Sequence, residues 1–573
     1  MNRLFRYLDK YKKECVLAPL FKMLEAVFEL TVPLVIARMI DRGIASGSFD
    51  DILRSFGLLI ALGFIGLIVS CTAQFFAAKA ATGFSKNLRH DLFEHILSFG
   101  FSEIDNVGTS TLITRMTSDV NILQNGVNMF LRLFLRSPFI VAGAMIMAFT
   151  IDARAALIFV AVIALLAVVV ALVMKSSIPL LKKAQKKLED VLLLVRENLT
   201  GSRVIRAFTL EDDQVREFGN TNSDLTAISL RAGRVSSLLN PLTYVIVNIG
   251  IVCLVITGEI RIEAGGLTTG EVVALYNYMS QILLELIKFA NLIVTLNRSF
   301  ASAGRVNEIF DLNPSMTWEN SPEDIMEDAP AVRLDRASLR YHEGADEAVS
   351  DISFSIPRHS TFGIVGGTGA GKTTVANLIS RFYDVTDGAV YVGGSDVREL
   401  DSDRLRRHVG TVMQRPVLFE GTIRDNLKWG NEDATDAELL EAARCAVCSE
   451  VIEEKGGLDA VVEAGGRNFS GGQRQRLSIA RVLAAKPEIL ILDDSSSALD
   501  YVTDKKLRQN ITSLSYKPTV VIIAQRAISV RGCDQILVLD DGEQVGLGNH
   551  EELLQNCPVY AEICSSMYKK EGA

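Results

Sequence analysis

Residues Ala155 to Met174 read AALIFVAVIALLAVVVALVM, an uninterrupted apolar run of about 20 residues. At about 1.5 Å per residue a helix of that length spans a hydrocarbon layer of about 30 Å. Such a run has no place on a soluble surface, so it predicts a membrane helix. Phe56 to Ala73 is nearly as clean. Pro138 to Ile151 is shorter and extends back through Phe130 to Leu135, provided that Arg132 and Arg136 snorkel or face protein. Leu238 to Thr257 carries Asn240, Tyr244 and Asn248, and Val272 to Leu296 is less oily. Cys15 to Ile40 holds Lys22, Glu25, Glu29 and Arg38 and is read as the first span. The expectation is an α-helical, six-span membrane domain over residues 1–310, with spans at 15–40, 52–80, 130–151, 155–176, 238–258 and 272–297.

Charge placement orients these spans. Arg3, Arg6, Lys10, Lys12 and Lys13 precede the first, which places the N-terminus in the cytoplasm. No small-residue cleavage site follows a short apolar core, so no removable signal peptide is read. The connections at 41–51, 152–154 and 258–271 are short and mostly acidic or neutral, as outside loops are. Those after spans two and four are long and basic, with Lys86, Arg89 and Arg115 in one and Lys182, Lys183, Lys186, Lys187, Arg203, Arg206 and Arg216 in the other. Ala78 to Ile96 and Lys182 to Arg196 keep a helical period, so the spans are expected to continue into water and to turn near Phe101 to Gly108 and Ala207 to Asp213.

After Arg305 the chain becomes acidic and proline-punctuated at Asn313-Pro314, Ser321-Pro322 and Ala329-Pro330, which reads as a linker over 311–331. From Val332 short β-rich runs alternate with helical patterns, the mark of an α/β domain over 332–573. A formal net charge of −9 implies no basic surface for nucleic acid. The eight cysteines include a single CxxC, Cys445 and Cys448, without a second pair at zinc-ribbon spacing, and are read as reduced structural thiols.

The α/β part carries the chemistry. Gly366-Gly367-Thr368-Gly369-Ala370-Gly371-Lys372-Thr373 fits G-x-x-x-x-G-K-[ST] between an apolar strand, Thr361 to Val365, and a helical pattern, Thr374 to Phe382. Glycines let backbone N–H groups close on phosphates, and the helix N-terminus adds partial positive charge. Lys372 is expected to reach the β- and γ-phosphates, and the Thr373 hydroxyl to ligate Mg²⁺. About 120 residues on, Glu488 to Asp493 is an apolar strand ending in a carboxylate suited to the Mg²⁺ sphere, and a third strand, Thr519 to Ala524, ends at Gln525. Between them, Phe469-Ser470-Gly471-Gly472-Gln473 opens a helix. It reads either as a second phosphate nest or as an ordinary N-cap, where Ser is also favoured.

The order and spacing of these motifs resemble the ATP-binding cassette (ABC) family, whose signature is usually written LSGGQ; Phe469 stands for its Leu. The resemblance covers essentially the whole chain and is to exporter-type half-transporters, six spans fused to a C-terminal phosphate-loop cassette. It implies ATP and Mg²⁺ as cofactors, with ATP held by Gly366, Gly367, Thr368, Gly369, Ala370, Gly371, Lys372, Thr373 and Thr374. Tyr341 resembles the aromatic that stacks on adenine. Gln414 resembles the glutamine that joins Thr373 and Asp493 at Mg²⁺ and couples the cassette to the membrane part. Ser497-Ala498-Leu499-Asp500 resembles the loop facing the opposite cassette, and Ser470, Gly471, Gly472 and Gln473 would close on the partner's ATP. The two cytoplasmic turns would be coupling helices. A multi-pass protein of a bacterial inner or plasma membrane, with a cytoplasmic cassette, is implied.

Two catalytic positions depart from the pattern. Asp494 stands where the family has Glu, and Gln525 where it has His. Asp is one methylene shorter, and Gln can neither carry a proton nor a positive charge. A misplaced base costs roughly 10²–10⁴ in rate. Together they imply the degenerate half of a heterodimeric exporter of drugs or lipids, its partner a second half-transporter with intact Glu and His. An importer on the same scaffold and an ATP-binding regulatory subunit are the alternatives. Tyr276, Asn277, Tyr278, Gln281, Glu285 and Lys288 in the sixth span are candidates for cargo contact, although Glu285 and Lys288 lie one turn apart and could simply pair.

Overall fold

The computed structural model describes residues 2–318, 326, 328–342, 344–495 and 498–571. Ser321-Pro322 of the expected linker and Ser497 lie outside the described residues. The chain forms two compact units, Met1–Leu97 with Ser110–Asp311, and Ser98–Thr109 with Leu312–Ala573. The short segment Ser98–Thr109, read from the sequence as the turn between two spans, thus groups with the α/β part.

The helices that matter are α1 (Lys12–Arg38), α2 (Phe49–Leu97), α3 (Phe101–Val107, in the second unit), α4 (Val120–Leu133), α5 (Arg136–Ile151), α6 (Ala153–Thr200), α7 (Ser202–Ala207), α8 (Glu211–Ser237), α9 (Leu239–Glu263) and α10 (Thr269–Asp311). Among the described residues five stretches are long and apolar enough to cross a membrane: Phe49–Leu97, Thr109–Ile151, Ala153–Thr200, Glu211–Glu263 and Thr269–Asp311. Their outward faces remain apolar; Phe64 is 67% exposed and Leu172 60%. That is the pattern of a surface solvated by lipid rather than by water. The helices run on well past the apolar windows, as the periodicity beyond Ala78 and Lys182 requires. The third span is broken at Phe134–Leu135, between α4 and α5. The second cytoplasmic turn is a helix, Ser202–Ala207, set slightly before the expected Ala207 to Asp213.

Helix α1 lies outside that group of five because of its charges, and these are neutralised locally. Lys22 donates to Glu25 (2.5 Å) and Ser70 (3.1 Å). Arg136, 6% exposed, donates to both Glu29 oxygens (2.9 and 2.8 Å) and to Glu285 (2.7 Å). Ser137 (2.8 Å) and Lys288 (2.8 Å) also donate to Glu285, itself 3% exposed. Helices α1, α5 and α10 are therefore joined by one paired cluster. Tyr278 is fully buried, its hydroxyl on the Leu30 carbonyl (2.7 Å), and Gln281 donates to the Glu29 carbonyl (3.3 Å). Of the cargo candidates in the sixth span, most are tied to protein; Tyr276 and Lys288 are the exposed ones.

The second unit is built on a six-stranded sheet. Its strands are β3 (Thr361–Gly366), β5 (Val409–Val412), β6 (Ile489–Asp493), β7 (Thr519–Ala524), β8 (Gln535–Asp540) and β9 (Glu543–Gly548), in the order β9-β8-β3-β7-β6-β5. The β8-β3-β7-β6-β5 part is parallel, and β6 and β7 are buried throughout, which accounts for their unbroken Ile, Leu and Val. A second, antiparallel sheet contains β1 (Val332–Leu339), β2 (Val349–Ile356) and β4 (Asp387–Val392). All eight cysteines are free, and Cys445 and Cys448 are buried, so the CxxC is packing.

The charge cluster generates a test. Arg136→Ala leaves Glu29 and Glu285 without their shared cation, and breaking such a buried pair costs about 3–5 kcal/mol. A clearly lowered melting temperature in detergent is expected. An unchanged one would show that Lys288 and solvent suffice to neutralise the site.

Candidate functional site

The parallel register aligns three strand ends. Val365 pairs with Ala524, and Ile523 with Asp493, so the glycine loop after β3, Asp493-Asp494 after β6 and Gln525 after β7 leave the sheet side by side. This C-terminal edge is where open parallel sheets bind ligands. The loop Gly366–Gly371 feeds directly into helix α11 (Lys372–Ile379). Gly371 has φ +88°, and a Cβ there would fall 2.5 Å from Val349 and 2.7 Å from the Ala348 carbonyl. At Gly366 a Cβ would meet the Leu539 carbonyl at 2.2 Å. Both positions demand glycine, one for its dihedral and one for space.

Lys372 is 9% exposed. Its ammonium donates to the Gly366 carbonyl (3.0 Å) and to that of Gly367. Burial pulls its pKa below the usual lysine range, against the opposing charges of Asp494 and Asp493. Asp493 is 4% exposed, and burial raises its pKa above the ordinary carboxylate value, with the neighbouring Asp494 charge adding to the shift. The Thr373 hydroxyl donates to Asp493 (3.2 Å). Thr373 and Asp493 thus present an all-oxygen pair beside the glycine loop, the donor type a hard divalent cation prefers.

Asp494 adopts φ +42°, rare for a residue with a Cβ, directly after its strand. One carboxylate oxygen, Oδ2, accepts from both Gln414 Nε2 (3.2 Å) and Gln525 Nε2 (3.3 Å). Asp494, Gln525 and Gln414, which the resemblance assigns to catalysis and to Mg²⁺, lie together, with Asp494 at the centre.

Tyr341 follows β1. Its hydroxyl lies 3.1 Å from that of Thr374, in the first turn of α11, and its ring stands edge-on to Tyr383 (4.9 Å, 89°). Ser470 caps helix α12 (Gly471–Ala484): its hydroxyl accepts from the Gln473 N–H (3.3 Å), and the Gln473 side chain accepts from the Ser470 N–H (2.9 Å). This is a capping box, so within one chain the N-cap reading of the signature is realised. Gly472 passes close to the Ala498 carbonyl, 3.0 Å from where a Cβ would sit. Phe469, in place of the usual Leu, is buried.

The family resemblance implies that Phe101 to Gly108 docks on a cassette, and this segment does group with the α/β part; which residues it meets has no local signal. Phe101 packs on Phe382 (4.8 Å), and the Tyr383 hydroxyl donates to Asp105 (2.5 Å). Asp105 and Tyr383 are 278 positions apart, and no local pattern pairs them.

Fold and site define a membrane domain joined to a phosphate-loop cassette. The family models agree: residues 15–286 match the ABC transporter transmembrane region, and 349–497 the ABC transporter cassette. An uncharacterized ABC transporter ATP-binding protein of Mycobacterium tuberculosis is 34% identical over 98% of this chain and 97% of its own length. YfiB of Bacillus subtilis, also described as an uncharacterized ABC transporter ATP-binding protein, is 33% identical over the full length of both. An ATP-dependent lipid A-core flippase of Desulfotalea psychrophila is 31% identical over 87% of each chain. Among solved structures, a bacterial Atm1-family ABC exporter with ATP bound superposes with a TM-score of 0.80 over 100% of this chain and 99% of that one, at 22% identity. The chain belongs to the ABC transporter family, and its architecture is that of an exporter-type half-transporter, a multi-pass membrane protein with an ATP-binding domain.

Lys372→Ala removes the cation of the glycine loop. Labelling of this chain by a photoreactive ATP analogue is expected to fall at least about tenfold, the loss of a charge-assisted contact worth 1.5–3 kcal/mol. Labelling that stays at the wild-type level, with other ATP sites blocked, would remove Lys372 from the binding site.

Proposed function

We propose that this chain is one half of a dimeric, ATP-driven exporter of hydrophobic or amphipathic compounds, and that its own ATP site binds nucleotide but hydrolyses it poorly. In this reading α1 is the first of six membrane spans and adds to the five apolar ones, its charges absorbed by the Arg136 cluster. The observation that carries the reading is Asp494, whose Oδ2 is shared by two glutamine amides.

The glycine loop binds the phosphates through its N–H groups, and the Lys372 ammonium leaves the Gly366 and Gly367 carbonyls to meet the β- and γ-oxygens. Tyr341 supplies a ring for the base. Thr373, Asp493 and Gln414 would hold Mg²⁺, which neutralises charge on the phosphates. Hydrolysis then needs a base that orients water in line with the γ-phosphate, and a cation or donor on the developing charge. Asp494 is short for the first role and already hydrogen-bonded by Gln414 and Gln525. Gln525 brings an amide to the second role, with no positive charge.

A dimeric partner is supported by two uncovered apolar surfaces. Around α7, Val204 and Phe208 point into solvent, Phe208 being 71% exposed. On the cassette, Phe419 and Trp429 stack in the open (4.0 Å), beside exposed Met413 and Val417. In a dimer the α7 turn of one half covers such a patch on the other. The family resemblance and the similarity to a lipid A-core flippase support an amphipathic cargo. The Asp494–Gln525 pairing supports a partner of different sequence, bringing Glu and His, whose ATP is completed by Ser470 to Gln473 of this chain.

ATPase rates of the purified complex separate these roles. Asp494→Asn is expected to cost less than about twofold, because a poor base loses little when neutralised. Ser470→Arg is expected to cost roughly 10²-fold, because it fills the nest facing the partner's γ-phosphate. The reverse order, or fast turnover by this chain purified alone, contradicts the asymmetric reading.

A further inference from the structure

Beside the candidate nucleotide site, a cavity of about 330 Å³ is lined by Ser102 and Asp105 of α3 together with Tyr341, His342, Asp346 and Tyr383 of the cassette. One small space thus has the coupling-type helix on one wall and the base-side tyrosine on the other. Tyr383 belongs to both walls.

Its position follows from α11. That helix starts at the glycine loop and is only eight residues long, about 12 Å. Its far end turns at Arg381, a buried residue at φ +47° whose guanidinium is clamped by Asp384 (2.9 Å), by the Thr317 carbonyl (2.9 Å) and by the Trp318 ring (4.2 Å). The clamp delivers Phe382 and Tyr383 to α3 in a fixed orientation. Phe382 meets Phe101, and the Tyr383 phenol donates to Asp105. Tyr341 closes a loop over the same helix: its hydroxyl is 3.1 Å from Thr374 at the start of α11, and its ring abuts Tyr383 beyond the end. The phosphate end and the base end of the site therefore converge on one phenol. Burial and Asp105 both raise the Tyr383 pKa well above the ordinary tyrosine value, so the phenol stays a donor at every physiological pH.

We propose that Tyr383 is a positioning residue that carries the state of the base site at Tyr341 to helix α3 through its hydrogen bond to Asp105. The proposal rests on the nucleotide-binding reading of the site. A base stacking on Tyr341, with phosphates at the start of α11, competes for the space around the Tyr341–Thr374 contact and re-seats the Tyr341 ring on the edge of Tyr383. Because Arg381 fixes the backbone of Tyr383, the movement is passed to the group that the phenol holds, Asp105, and so to the helix between the first two cytoplasmic extensions.

The test uses the full-length transporter in nanodiscs with an environment-sensitive fluorophore at Asn106→Cys, an exposed position of α3 outside the cavity wall. Affinity for Mg-ATP is measured separately with a fluorescent ATP analogue. Tyr383→Phe keeps the ring and removes the donor. ATP affinity is expected to stay within about threefold, while the ATP-induced fluorophore change falls at least about fivefold, as for a single charge-assisted hydrogen bond. Asp105→Ala should match Tyr383→Phe, and Asp105→Asn, which keeps an accepting oxygen, should retain more than half of the change. A full response in Tyr383→Phe and Asp105→Ala overturns the relay. So does a response lost only in proportion to lost ATP binding, or an Asp105→Asn variant no better than Asp105→Ala. Absence of ATP binding in the wild type would sink the nucleotide reading itself; binding with an intact response in the variants sinks only the relay.

Discussion

The parallel pairing of β3, β7 and β6 is the constraint on which the cassette depends. Parallel strands in register end together, and here they end as Gly366, Gln525 and Asp493-Asp494. Residues separated by more than a hundred positions are brought together by backbone hydrogen bonds alone. The same burial that keeps the strands apolar strips water from what they carry. Lys372 is pulled below its usual range and Asp493 pushed above its own, so each is costly without an ionic partner. Internal carbonyls meet part of Lys372's demand, and the Thr373 hydroxyl part of Asp493's. A triphosphate with a divalent cation would answer both at once.

The membrane unit meets a related constraint in the opposite way. Its helices leave their apolar faces uncovered and gather their charges inward. Arg136 satisfies two carboxylates from two other helices, and Lys288 and Ser137 complete the set around Glu285. Charge in a low-dielectric setting is tolerated when it is paired and hydrogen-bonded, and the pairing fixes which helices stay together. Most of the polar residues of the sixth span are used this way, Lys288 included; the Tyr276 side chain is exposed outside the cluster.

Much of this architecture was legible because the signals are local. An apolar run such as Ala155 to Met174 reports lipid directly, and G-x-x-x-x-G-K-[ST] between a strand and a helix reports phosphate. The parallel strands could be read from their unbroken Ile, Leu and Val, and Asp494 and Gln525 stood out against a motif of known order. The rest was hidden because it is non-local. Nothing near Arg136 in the sequence announces Glu29 or Glu285, 107 and 149 residues away. The break at Phe134–Leu135 is the exception, a local signal: Pro138, in the first turn of α5, has no N–H for the Phe134 carbonyl and its ring crowds it. Neither Asp105 nor Tyr383 has a neighbour that indicates the other. Ser470 remained open between cap and phosphate nest because one serine can do both; within the chain it forms a capping box, and its side chain is exposed.

The central claim is that the two ATP sites of the transporter are chemically unequal and that this chain's phosphate loop lies in the weaker one. The most direct measurement is a cryo-electron microscopy map of the purified, native transporter after turnover in Mg-ATP with orthovanadate. Intact ATP between Lys372 and Thr373 of this chain, with trapped ADP and vanadate against a different half-transporter's loop opposite Ser470, is the predicted result. Trapped ADP and vanadate at Lys372, or two copies of this chain with identical occupancy, would contradict it.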